Sequence, residues 1–367
     1  MGELRPFINI GPGETIKDEL ETLGWSQDDL ARIMGMSLKA VNEIINDKTA
    51  ITVDTAKLLG KAFGTSAEMW LNLDTAYRLR LHEDTERERE AERYASVMKY
   101  MPVREMVKKG WIGSYKTASE LIDKAKSFWN VTEPDFSFLG KTKEPCFRRS
   151  SSYEFYEKYY ALVWTQKAKD IARARQLPPY NKSAVKKLGL EMAKISCLED
   201  GVAVFIRELE EVGIGFFVLS HLQKTYLDGA AIFIDANPFI IYTGRYDRCD
   251  NFWFTVAHEL AHIVLGHVRK DGQEILDDLK DAAGNDKERA ADALAESYLR
   301  GAEIVEFCTP FKKYLSRERI ERCAQTVGIN PGIVVGTLQY AGLLPYKNLN
   351  DYKKPVMEKI PASNIQG

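Results

Sequence analysis

His258, Glu259 and His262 occur in the order His-Glu-Leu-Ala-His, which is H-E-x-x-H spacing. Histidines four residues apart lie one above the other on a helix face, so both imidazoles can reach a single ion. The glutamate between them sits about 100° round the helix, where it addresses water at the ion rather than the ion itself. This is the chemistry of a zinc-dependent hydrolase. The metal brings the pKa of water toward ~7, and the carboxylate takes its proton as it attacks a peptide carbonyl. Three of the chain's five histidines fall between 258 and 267. The segment that carries them, NFWFTVAHELAHIVLG, is otherwise strongly apolar. Two imidazoles and a carboxylate left unpaired inside it would be costly, and metal coordination accounts for all of them.

A catalytic zinc needs a third protein ligand and an open fourth position. His267 is a poor third ligand. It lies about 140° round the helix from His262 and follows Gly266, where the helix is expected to end. The stretch KERAADALAESYL offers a better choice. Glu288 and Asp292 are spaced i, i+4, so one carboxylate can bind the ion while the other orients a ligand histidine. Glu296 continues the same face and is the alternative ligand.

A second constellation lies near the amino end, in SQDDLARIMGMSLKAVNEIINDK. Ser26 caps a helix that ends near Met34, Gly35 makes a tight turn, and Ser37 caps a second helix running to about Asn46. Ala31 is small where the two helices must cross, and Val41 and Ile44 face inward. This is helix-turn-helix spacing. It presents Ser37, Leu38, Lys39 and Asn42 to the major groove and Gln27 to a phosphate, and Lys48 completes the DNA-binding set. Residues 1–80 hold nine basic and twelve acidic side chains, a net −3, so bulk charge does not supply the affinity. Residues 141–187 carry twelve basic and four acidic residues, a net +8. They could meet phosphates, but docking on the acidic stretch Asp271–Asp292 is the favoured role.

The elements that must position these groups follow from punctuation and periodicity. Residues 1–80 read as a compact five-helix domain, and the charge-dense stretch from Arg78 to Tyr94 as a solvated helix or linker. Residues 95–200 look helical, with a capping box at Thr117 and Glu120. After a short helix, IGFFVLS, GAAIFID and FIIYTG read as strands of a small sheet. Asp250 can cap the long metal-site helix, helices fill the chain to about Tyr340, and the tail after Pro345 is expected to fray. The fold class is mainly α with a small β-sheet (α+β). The expected division is 1–80, a helical connector 81–198, a zincin-like domain 199–346 and a tail 347–367.

Composition narrows the function classes. The 367 residues are 45% hydrophobic and 28% charged with a net charge of −2, which excludes a globally basic nucleic-acid binder. No apolar run approaches the ~20 residues of a membrane span, and the amino end lacks signal-peptide character, so no membrane partner is expected. Cys146, Cys197, Cys249, Cys308 and Cys323 are odd in number and far apart, which argues against a disulfide framework and for a cytoplasmic location.

The stretches FWFTVAHELAHIVLGH, ERAADALAESYL and GAAIFIDANPFIIYTGR resemble the ImmA/IrrE family of zinc metallopeptidases, over about residues 200–345. The resemblance implies His258, His262 and Glu288 as Zn2+ ligands and Glu259 as catalytic base. The stretch from Pro12 to Arg80 resembles the HigA-type antitoxins of the Xre helix-turn-helix family, above all in its Gly64–Leu73 ending, GTSAEMWLNL. Together these imply a homodimeric repressor of an operator that also cleaves a regulatory protein, either a repressor or an antitoxin-like protein, with a cognate toxin as a further partner. The rival is a non-enzymatic HigA-type antitoxin whose zinc is structural. Chelation separates the two, because a structural zinc is part of the folding free energy.

Overall fold

The computed structural model describes residues 9–81, 85–132, 158–268 apart from 224 and 226, and 282–366 apart from 313. Side chains are described from 159 and from 286 in the helices that begin at 158 and 282. The chain divides into two compact units, Met1–Ala91 and Glu92–Gly367. The chain is mainly helical with one small sheet, as expected.

The first unit holds α1 (Pro12–Leu23), α2 (Gln27–Met34), α3 (Leu38–Ile45), α4 (Val53–Phe63) and α5 (Ala67–Leu81). Its boundaries are set by caps. The Ser26 hydroxyl accepts from the Asp29 amide, and the Asp29 carboxylate returns to the Ser26 amide, which closes a capping box. Ser37 caps α3 through the Ala40 amide. Gly35 takes the left-handed conformation (φ 65°) that lets the chain turn sharply between α2 and α3. Ile16, Leu30, Val41, Ile45, Leu59 and Trp70 are buried in one core, and Ala31 is buried with them, as its small size predicts. Trp70 is fully buried and donates its indole N–H to Thr65 Oγ1 at 2.7 Å.

The charge-dense stretch enters α6 (Glu86–Tyr100), and the division between units falls inside this helix. The second unit continues with α7 (Val103–Lys108), α8 (Ala118–Trp129), α9 (Lys158–Arg173), α10 (Lys182–Ser196) and α11 (Gly201–Glu211). Thr117 caps α8, but the Glu120 carboxylate takes the Lys116 amide rather than that of Thr117, so only half of the expected box forms. Strands β1 (Gly215–Leu219), β2 (Gly229–Ile234) and β3 (Asn237–Tyr242) lie in the three apolar runs. The remaining elements are α12 (Cys249–Leu265), α13 (Ala282–Tyr298), α14 (Gly301–Cys308), α15 (Arg317–Val327), α16 (Pro331–Tyr340) and β4 (Ile365–Gln366).

The sheet order is β2-β3-β1-β4, with β1 parallel to both neighbours and β2 antiparallel to β3. Both faces are covered. Phe217, Leu219, Ile232 and Ile241 pack with Val97, Met106, Leu121 and Trp164 from α6 to α9. Phe216, Val218, Ile240 and Tyr242 pack with α10, α11 and α12. The described residues between 92 and 198 are therefore part of the second unit rather than a free-standing connector. The physical reason is that strands apolar on both faces need helices on both sides.

Two further expectations are corrected. Arg248, not Asp250, is the residue before the first turn of α12, and Asp250 lies within that turn. Its carboxylate is taken by Arg248 and by Lys353 instead of by a backbone amide. The tail beyond Pro345 does not fray. Val356 and Ile360 are buried, Ile365 pairs with Val218, and the Asp247 carboxylate accepts from the amides of Val356 and Met357. Among the described residues no helix is long and apolar enough to cross a membrane.

Candidate metal centre and nucleic-acid face

Helix α12 is buried along most of its length, with Phe252, Trp253, Val256 and Leu260 in the core. It presents His258 and His262 toward α13, the helix that carries Glu288 and Asp292. The two Nε2 atoms are 3.0 Å apart. Glu288 lies 3.3 Å from His258 Nε2 and 3.5 Å from His262 Nε2. Zinc bonds of about 2.0–2.2 Å in a tetrahedral site give ligand–ligand edges of about 3.3 Å. The three side chains therefore fit a single zinc ion in both chemistry and spacing. Among the described residues they are the one such group of His, Cys, Asp and Glu side chains. Glu296 does not join them. It packs against the start of α14, where a Cβ on Gly301 would lie 2.4 Å from Glu296 Cγ.

The surrounding groups hold these side chains in place. Asp292 Oδ1 is 2.9 Å from His258 Nδ1, which directs His258 Nε2 at the centre. Burial works to raise the Glu288 pKa, but hydrogen bonds and charge from His258 and His262 outweigh it. The net effect holds this carboxyl well below the usual carboxylate range. Glu259 is buried beside β2, and Gly229 is required there. A Cβ at Gly229 would lie 2.5 Å from Thr255 Cγ2 and 3.3 Å from Glu259 Oε1.

His267 has a place that its helical angle did not suggest. Gly266 ends α12 in the left-handed conformation (φ 75°), and the His267 amide turns back to the His262 carbonyl at 2.9 Å. Its ring then meets His262, with the two Nδ1 atoms 3.1 Å apart. Burial first, and the charge of His262 next, push its pKa down to about 4, so it stays neutral near pH 7. A neutral His267 can accept from His262 Nδ1–H and leave His262 Nε2 as the ligating atom. His267→Phe, which keeps the bulk and loses the acceptor, is expected to weaken zinc affinity by roughly 10–100-fold in a chelator-competition titration, with His267→Gln retaining more of it.

The first unit has no metal cluster of this kind among its described residues. Ser37, Leu38, Lys39 and Asn42 lie exposed along the start of α3, Gln27 is half-buried at the start of α2, and Lys48 is exposed just beyond α3. The structure links two of them, because Asn42 Nδ2 donates to Gln27 Oε1 at 3.1 Å. Asn46, absent from the sequence-based set, donates to the Asn42 backbone oxygen at 2.7 Å and to Asn42 Oδ1 at 3.2 Å. The signal for it was only its position one turn after Asn42.

The basic segment 141–187 is described only from 158, and the acidic stretch is described only from 282, so their docking lies largely outside the described residues. Arg175 is occupied structurally. It donates to the carbonyls of Phe216 and Ser363 and pairs with Glu210.

Comparison with known proteins bears on the first unit. The helix-turn-helix family model matches residues 16–70. Virulence-associated protein I of Dichelobacter nodosus is 41% identical over 75 residues, which are 20% of this chain and 69% of that protein. The uncharacterized HTH-type transcriptional regulator YddM of Escherichia coli (strain K12) is 34% identical over 74 residues, 20% of this chain and 79% of that protein. A solved structure of the Pseudomonas aeruginosa antitoxin HigA with the higBA promoter is 34% identical and covers 26% of this chain and 94% of that chain, at a TM-score of 0.19. The family match ends at residue 70, so α12 and α13 lie outside it.

Proposed function

Because the chain belongs to the helix-turn-helix family of DNA-binding regulators through its first unit, we propose that it is an antitoxin-like repressor whose second unit is a zinc-dependent endopeptidase of the ImmA/IrrE kind. The observation that carries the enzymatic half is the convergence of His258, His262 and Glu288 with Glu259 alongside. The substrate class is a regulatory protein, either a repressor or an antitoxin. Cleavage of that protein in the cytoplasm would switch the locus that the first unit represses as a homodimer.

Zinc, when bound, supplies a Lewis acid that polarises the scissile carbonyl and acidifies water. His258, His262 and Glu288 would hold it, and Asp292 and His267 contact the two imidazoles and would fix their ring orientation. Glu259 takes the proton from the attacking water and delivers it to the departing amine. The peptide C–N bond breaks, leaving a carboxylate and an amine.

The test is metal analysis of the full chain. Wild type is expected to hold one zinc per chain, and His262→Ala and Glu288→Ala are each expected to lose most of it, with Glu296→Ala unaffected. Full stoichiometry in His262→Ala would overturn the site. A second unit that unfolds on chelation would point to the non-enzymatic antitoxin, whereas one that stays folded supports the enzyme.

A further inference from the structure

Three side-chain amides join the exposed face of α3 to the start of α2, and the inference drawn from them rests on the DNA-binding reading above. Asn46 places its side-chain nitrogen 2.7 Å from the Asn42 backbone oxygen. A carbonyl can only accept, so that atom of Asn46 is the NH2 group and not the oxygen. The same nitrogen lies 3.2 Å from the Asn42 side chain, which fixes the facing atom of Asn42 as its oxygen. Asn42 Nδ2 must then point the other way, where it meets Gln27 Oε1 at 3.1 Å. A backbone carbonyl thus sets the orientation of three consecutive amides.

A side-chain amide has two N–H donors and an oxygen with two lone pairs. Asn42 spends one donor on Gln27 and one lone pair on Asn46. One donor and one acceptor remain, side by side. In the major groove adenine offers a donor at N6 and an acceptor at N7, guanine offers two acceptors, and cytosine offers only a donor. We propose that Asn42 reads an adenine, held in register by Asn46 and Gln27. Leu38 lies one turn earlier on the same face and is 49% exposed, which suits contact with a thymine methyl group beside that adenine. The half-site is therefore expected to contain a neighbouring A and T.

The experiment uses the full chain and a pool of random 40-base-pair duplexes, at fixed salt. Wild type is expected to enrich sites with an adenine at one position of each half-site. Replacing that adenine by 7-deazaadenine removes the N7 acceptor and is expected to weaken binding roughly 10–100-fold. Replacing the neighbouring thymine by uracil removes the methyl group and should give a smaller loss, absent in Leu38→Ala. Asn46→Ala frees the Asn42 amide to rotate. It is expected to reduce the adenine preference to within about threefold, and an unchanged urea-unfolding transition of the first unit shows that the variant is folded. An Asn46→Ala protein that keeps the full adenine preference overturns the relay. A preferred adenine that tolerates 7-deaza substitution overturns the contact. A wild type that enriches no sequence overturns the DNA-binding reading itself, a different outcome from either.

Discussion

Glu259→Gln is expected to slow peptide cleavage by roughly 10²–10⁴-fold while zinc content and fold remain as in wild type. Glutamine has the same length and polarity, so the tight space between α12 and Gly229 accommodates it. An amide cannot take up the proton of the attacking water, so the chemical step loses its base. The side chain is adjacent to His258 in sequence without belonging to the converging trio, so a purely structural metal would not notice the change. The measurement expresses wild type and variant with a reporter fused to the operator that the first unit is proposed to bind and follows derepression under inducing conditions. Loss of induction with unchanged zinc supports a protease switch. Normal induction by the variant would remove proteolysis at this site from that response.

Asp250→Ala is expected to destabilise the second unit by roughly 3–5 kcal/mol. The Asp250 carboxylate holds Arg248 through two contacts of 3.0 Å and Lys353 through one of 2.8 Å. The Lys353 side chain is 3% exposed. Without Asp250 its ammonium keeps the Gln339 amide oxygen as its hydrogen-bond partner, a poor substitute for a carboxylate in a dry site. Replacing both partners should be milder than replacing one. Asp250→Ala with Lys353→Met is therefore expected to recover a large part of the loss in a double-mutant cycle. Urea unfolding of the full chain checks this. The transition of the second unit should move to lower urea and that of the first should stay in place. A change below about 1 kcal/mol in Asp250→Ala would show that the carboxylate is dispensable.

What could be read from the sequence depended on whether the determining contacts were local. The pair His258 and His262 was legible because helical periodicity alone superimposes residues four apart. The turn between α2 and α3 was legible because Ser26, Gly35 and Ser37 act on their immediate neighbours. The choice between Glu288 and Glu296 was not open to spacing, since both lie on one face. The packing of α13 on α12 and the close approach of Gly301 to Glu296 decide it. His267 stays outside the converging trio, as its place after Gly266 suggested, but its contact with the His262 ring depends on the left-handed turn and was not open to spacing. The connector went unrecognised although the unbroken apolar run GFFVL already called for cover on both faces. The tail looked loose because it lacks apolar periodicity. It is held by distant polar groups, such as Asn364, whose side chain donates to Glu210 and the Phe216 carbonyl. Asn46 carries no hydrophobic signal, and its meaning appears only once the positions of three amides are known.

The parallel pairing of β1 with β4 also sets a timetable. The core of the first unit is made between helices that all lie between Pro12 and Leu81, the kind of local topology that folds quickly. The edge of the sheet beside β1 is completed only when Ile365 reaches Val218 from far down the chain, and closing so long a loop is slow. In synthesis from the amino end, the first unit is therefore complete while the second is still being made. On the proposed reading, a nonsense or frameshift allele that ends between α6 and α12 would keep the DNA-binding unit and lack the proposed metal site. In a cell carrying both alleles, such a fragment would, on that same reading, act as a repressor that the proposed cleavage cannot relieve.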